Sequence, residues 1–206
     1  MLTGLAPLVS SRTRLLVLGS FPGAASLAAQ QYYAYPRNQF WTILQGIWPD
    51  YPIEAGAESY EIRSEWLLDR GLGLWDVYAT CEREGSLDAR IRRAQLNDFA
   101  GLADRCPSLE AIAHNGGESF KHASSVSAAL SEAGRRATKP AGPETALRHA
   151  QPARFTDGRA ASENGPGAGL AISFHRLPST SPAHASWTFE RKLGAWRAIF
   201  QTHGLV

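Results

Sequence analysis

The residues best suited to chemistry lie in the segment Arg14–Trp41, RLLVLGSFPGAASLAAQQYYAYPRNQFW. Asn38 stands there behind Pro36 and Arg37 and ahead of an apolar-periodic run. A carboxamide in that place can accept a hydrogen bond from a water while remaining neutral. The adjacent Tyr32 and Tyr33 offer flat surfaces, and Gly19-Ser20-Phe21-Pro22-Gly23 is a loop that lets backbone approach a ligand closely. A tight loop, stacking aromatics and a polar amide at a helix start make a pocket for a flat polar ring. Asp76 adds a carboxylate at the end of an apolar run, and Leu177–Ala185, LPSTSPAHA, adds a rigid loop rich in hydroxyls.

Three stretches, in order, carry a family resemblance: GSFPG with YYAYPRNQFW, then Gly73-Leu74-Trp75-Asp76-Val77, then Leu177-Pro178-Ser179-Thr180-Ser181-Pro182-Ala183. Together they resemble the uracil-DNA glycosylase superfamily, and within it the hypoxanthine-DNA (deoxyinosine) glycosylase branch. The resemblance implies one three-layer α/β/α domain that removes a deaminated base from DNA without metal or cofactor.

It also assigns expected roles. Cleaving an N-glycosidic bond leaves positive charge on the sugar and negative charge on the departing base, so a polar group must hold a water against the sugar. Many superfamily members carry an Asn or Asp in the first loop, where this chain has Phe21. In the hypoxanthine branch the Asn of the PRN-aromatic-Trp motif takes over, and it maps onto Asn38. The competing reading is that Asn38 only caps the helix that follows. Tyr33 resembles the aromatic that stacks on a flipped base, a contact worth roughly 1–3 kcal/mol; one of the two tyrosines is expected in the core instead. Ser20 and Phe21 are expected beside the base.

Asp76 matches a position where the superfamily often places a base-reading Asn. Ionised, it could accept from the N1–H of hypoxanthine and reject adenine. Protonated in an apolar pocket, it could donate, and would not oppose a departing anion. A structural turn cap is the third reading. Asn115, in Ala113-His114-Asn115-Gly116-Gly117, resembles a pocket-facing family position, although Asn-Gly is also a common turn. The loop of the last motif implies DNA contacts through Pro178, Ser179, Thr180, Ser181 and His184, with Arg37 beside them. His175 reads as a structural histidine, and Arg90, Arg92 and Arg93 as a solvated basic face or a backbone contact.

The elements that must position these residues alternate. Strands are expected at Leu15–Leu18, Leu72–Val77, Leu109–Ala113 and Leu170–Phe174. Helices are expected near Asn38–Trp48, Glu58–Arg70, Asn97–Arg105 with Asn97 as cap, Ser119–Ala133 and Ser186–His203. Gly71 stops the second of these, and Phe189, Leu193, Trp196 and Phe200 form one apolar stripe on the last. The alternation argues for a central, mostly parallel four-stranded sheet covered on both faces, with ligands at the carboxyl ends of its strands.

At 206 residues the chain suits a single domain. A net charge of +2 announces no polybasic character, so any nucleic-acid surface must be local. Cys81 and Cys106 provide neither a disulfide framework nor a metal-binding spacing, and two cysteines are too few for an iron–sulfur cluster. With no apolar stretch long enough to span a bilayer, a cytoplasmic monomer is expected, with no membrane partner.

Residues 134–169, rich in Pro, Gly and Arg, read as a surface insertion or as a basic flap over DNA phosphates. No lysine in the first motif suits a Schiff base, so a monofunctional enzyme is expected. The alternatives are a uracil or xanthine DNA glycosylase, or a damaged-nucleic-acid binding module without catalysis.

Overall fold

The computed structural model describes residues 1–54, 56–137, 155–156 and 172–206. Its centre is an all-parallel sheet built from β2 (Leu15–Gly19), β3 (Leu72–Asp76), β6 (Ala111–Asn115) and β8 (Ser173–Leu177). The two-residue β7 (Phe155–Thr156) pairs in parallel at the edge, giving the order β3-β2-β6-β8-β7. These strands form because their apolar runs are buried on both faces. Leu15 and Val17 enter one core with Leu72, Leu74, Ala111 and Ala113; Leu16 and Leu18 enter the other with Trp75, Ile112 and Phe174.

Helices cover each face, as expected for three α/β/α layers. On the first lie α2 (Phe40–Ile47), α3 (Tyr60–Asp69) and α7 (Phe189–Thr202), contributing Phe40, Leu67, Trp196 and Phe200. On the second lie α4 (Leu102–Arg105) and α6 (Ala123–Ala137). The short helices α1 (Ala24–Ala29) and α5 (Gly117–Phe120) each follow a strand end. Gly71 stops α3 with a φ of +70°, a left-handed conformation that suits glycine.

Several boundaries differ from the sequence reading. A second, antiparallel sheet joins β1 (Leu2–Thr3), β4 (Tyr78–Glu82) and β5 (Arg92–Leu96), with a 3-10 turn over Asp88–Arg90 between the last two. The expected helix over Asn97–Arg105 is reduced to α4, and Asn97 is no cap. Its Nδ2 donates to the Asp76 carbonyl (2.8 Å) and its N–H to that of Val77 (2.9 Å), tying the end of β5 to the end of β3. The expected helix over Ser119–Ala133 breaks into α5 and α6, and α6 continues to Ala137 into the stretch read as an insertion. Apart from that end and β7, residues 134–169 lie outside the described residues.

Strands β6 and β8 end two and three residues later than expected, which carries Asn115 and Leu177 to strand ends. Gly19 pairs with Asp76 and Asn115 with Leu177, so the candidate site residues share one edge of the sheet. The chain builds outward from β2 to β3, then returns to the other side of β2 to lay down β6. The order therefore reverses beside β2, where such sheets open a crevice.

Candidate active site

A cleft of about 680 Å³ opens at that edge. Its floor is Gly19, Asp76 and Asn115; one wall is the loop after β2 with Ser20, Phe21, Tyr33 and Asn38, and another is Ser179–His184. A third wall, Ser86–Ala89, comes from the connection between β4 and β5.

Asp76 is the most unusual group on the floor. It is 4% exposed, and its Oδ2 is buried without a hydrogen-bond partner. Burial pushes its pKa up to about 7, the negative charge of Asp88 adds to this, and Arg83 opposes it. The carboxyl fits only because Gly19 lacks a side chain: a Cβ there would overlap Asp76 Oδ1. Asp88 is tied to the same wall by the Ser20 hydroxyl, which donates to its Oδ1 (2.7 Å), and its pKa is raised chiefly by burial. Arg83 lies over the Phe21 ring and donates to the Pro22 carbonyl. Sequence reasoning missed this third wall. A Gly85-Ser86 turn followed by an acid was its only signal.

Tyr32 takes the core place expected of one of the pair, and Tyr33 a place in the cleft. Tyr32 is buried in the core, and its hydroxyl donates to the Ala6 carbonyl (3.0 Å). Tyr33 lines the cleft, with its backbone in the left-handed region at φ 56° and its ring stacked on Phe40 at 4.0 Å between centroids. Phe40 is fully buried and Trp41 packs against the same core.

Asn38 also lines the cleft. Its Oδ1 accepts from the Phe40 N–H (3.0 Å), so it does serve the helix start. One carboxamide oxygen has two lone pairs, and this bond uses one of them.

Asn115 is more committed. Its Nδ2 donates to the Tyr33 hydroxyl (3.0 Å) and to Thr180 Oγ1 (2.9 Å), while its Oδ1 accepts from the Thr180 N–H (2.9 Å). With both side-chain donors used, Asn115 braces the site from the floor and offers a base no amide hydrogen, while its Oδ1, with one bond made, keeps an accepting lone pair. Thr180 departs from the expected DNA contact. It is wholly buried, with its carbonyl accepting from the Gln39 N–H (3.0 Å), so it supports the loop from beneath and cannot meet DNA.

Ser179, Ser181 and His184 do line the cleft, and the two hydroxyls accept from backbone N–H groups within their own loop. His184 keeps a buried Nδ1 without a partner; burial and then the nearby positive charges of Lys192 and Arg176 lower its pKa. Pro178 stands behind the lining, its carbonyl accepting from Trp196 Nε1 (3.1 Å). Arg37 is exposed outside the cleft and held by the Tyr35 hydroxyl. His175 is away from the cleft, hydrogen-bonded to His203 (2.8 Å). On β5, Arg93 pairs with Glu82 (3.1 Å), and Arg92 donates to the carbonyls of Ala89 and Ile91. Among the described residues no group of three or more His, Cys, Asp or Glu could hold a metal ion, and no helix is long and apolar enough to cross a membrane.

A buried acid, a stacked tyrosine and a neutral amide around one cleft suit a flat, hydrogen-bonding ring attached to a reacting centre. Comparison with known proteins points the same way. A hypoxanthine DNA glycosylase of Methanosarcina barkeri (strain Fusaro / DSM 804) is 36% identical over 119 residues, which is 58% of this chain and 73% of that protein. One of Methanosarcina acetivorans is 36% identical over 115 residues, 55% of this chain and 70% of its own length. A solution NMR structure from Methanosarcina acetivorans, of a protein provisionally named a uracil DNA glycosylase, is similar with a TM-score of 0.63 at 25% identity. That likeness covers 98% of this chain and 97% of the other. No family model matches the chain.

Proposed function

Because the chain belongs to the hypoxanthine DNA glycosylase branch of the uracil-DNA glycosylase superfamily, we propose that this cleft takes a flipped, deaminated base and hydrolyses its N-glycosidic bond. The protein is a DNA glycosylase acting on deaminated bases, hypoxanthine foremost, in base-excision repair. The observation that carries the site assignment is the orphaned Oδ2 of Asp76 on the floor of a cleft also lined by Tyr33 and Asn38.

The nucleotide leaves the stack and enters the cleft. Phe40 occupies one face of the Tyr33 ring, and the base stacks against the other. The polar edge of the base meets Asp76. In its neutral form, favoured by burial, Asp76 donates a proton in a hydrogen bond to the purine and does not oppose the charge that develops as the base departs. Asn38 Oδ1, through its remaining lone pair, orients a water toward the anomeric carbon, where positive charge develops. Ser179, Ser181 and His184 at the mouth, with Arg37 outside it, hold the phosphate backbone. The lining of the cleft includes no lysine among the described residues, which supports a monofunctional enzyme that releases the base and leaves the strand intact.

The test is base release from matched oligonucleotides carrying a single hypoxanthine, xanthine or uracil, with Asn38→Ala beside the wild type. Hypoxanthine release that falls at least ~100-fold in the variant, at unchanged DNA affinity, is expected. Equal release by both proteins removes Asn38 from the chemistry. Binding without release of any base makes the chain a damage-recognition module.

A further inference from the structure

Lys192 is a buried charged group whose presence the reaction as described does not explain. It sits in the first turn of α7 and is 2% exposed. No ion pair among the described residues includes it, and burial alone lowers its pKa. A charge this far from water is costly unless something specific holds it. What holds it is a side chain of the site: Nζ donates to Gln39 Oε1 (2.8 Å), across 153 positions of sequence. Gln39 follows Asn38, opens α2, and gives its own N–H to the Thr180 carbonyl (3.0 Å). The ammonium thus joins the last helix to the one turn that carries the water-orienting amide.

We infer that Lys192 is a positioning residue for base excision, holding the Asn38 turn against the Ser179–His184 loop through the side chain of Gln39. The inference rests on the role proposed for Asn38. Lys192 is absent from the cleft lining, so it touches neither base nor phosphate; its hydrogen bond to the site runs through Gln39, and its charge is also felt at His184. Without that tie Gln39 keeps only its two backbone bonds, to Thr180 and Ile43, and the Asn38 amide gains freedom to turn away from the water. A displacement of about 1 Å at a reacting group can cost on the order of 100-fold in rate.

A purely structural residue and a positioning residue separate cleanly here. Lys192→Met keeps the length of the stem and removes the charge, so the folded state should melt at the same or a higher temperature. The inference requires that kcat under single-turnover conditions still falls, by roughly 10- to 100-fold, while DNA affinity is unchanged. Lys192→Arg, which can still donate to Gln39, should recover most of the rate. Should Lys192→Met fold poorly, Gln39→Met replaces it as the test: it removes the acceptor and keeps the backbone bond to Thr180, so kcat should fall by the same roughly 10- to 100-fold at unchanged DNA affinity.

Wild-type kcat in Lys192→Met or in Gln39→Met, or no recovery in Lys192→Arg, overturns the inference. Asn38→Ala run in parallel tells the two failures apart. An inactive Asn38→Ala with a fully active Lys192→Met discards the clamp and leaves the water-orienting role standing; a fully active Asn38→Ala discards both.

Discussion

The two halves of the cleft are built on opposite plans. On the side of β2 and β3, polar atoms are left wanting: Asp76 Oδ2 has no partner, and Asn38, which lines the cleft, accepts one bond through its Oδ1. On the side of β6 and β8, apart from the buried Nδ1 of His184, the polar side chains bond to one another or to their own loop. Asn115 uses both amide hydrogens and its oxygen, and Thr180 uses its N–H, its hydroxyl and its carbonyl. An unsatisfied buried group costs roughly 1–3 kcal/mol, a cost that a correctly matched ligand removes. The unpartnered carboxyl oxygen of Asp76 thus faces a wall braced by the Asn115–Thr180 bonds, the arrangement on which the proposed base site rests.

The comparison breaks most completely at Asn38. Alanine there should leave folding intact within about 1 kcal/mol, the worth of one helix-start bond, while removing at least ~100-fold in single-turnover rate. Asp76→Asn should show the opposite sign in the two measurements. Because the pKa of this acid is higher in the folded chain than in the unfolded one, the native state holds the proton more tightly. Its favourable contribution is complete below about pH 4 and is lost as pH rises toward about 7. The asparagine variant should therefore gain up to ~4 kcal/mol relative to the wild type between those limits, read from denaturant titrations at several pH values. Its activity should fall roughly 10-fold near pH 6 and lose the decline that the wild type shows above about pH 7.

On the rigid side the expected losses are smaller in rate and fall first on stability. Asn115→Ala leaves Thr180 N–H and the Tyr33 hydroxyl without their partner and should cost about 2 kcal/mol in unfolding free energy, with only a secondary loss of rate. An Asn115→Ala protein of wild-type stability but no activity would falsify the division of labour. Least of all, Ser181→Ala at the mouth should weaken DNA binding by a few-fold and flatten its salt dependence only slightly, since a neutral hydroxyl releases no counterion.

The parts of this plan that the sequence exposed are those written in apolar periodicity. Leu15–Gly19 is buried at every position, so it reads as a strand, and the loop after it reads as a site. The stripe Phe189, Leu193, Trp196 and Phe200 is the core face of α7. Elements that face water at each residue carry no such mark: β5, Arg-Arg-Ala-Gln-Leu, is exposed throughout and holds together by pairing with β4. Without that hairpin in view, the third wall and Asp88 stay hidden. Lys192 is a different kind of omission. It lies three residues after Phe189 and four before Trp196, on the apolar face itself, so periodicity pointed inward while its charge suggested solvent. Asn115 and Thr180 were found by residue type, yet their hydrogen-bond partners are remote in sequence, and no local pattern could show that they were already engaged.

The contact between Gly19 and the Asp76 carboxyl also has a consequence for heredity. A methyl group at the first position takes the space of an oxygen at the second, so alanine at position 19 forces the acid at position 76 to turn or to be replaced. If Asp76 reads the base as proposed, the two codons are coupled through substrate choice, and the glycine and the acid should tend to be inherited together.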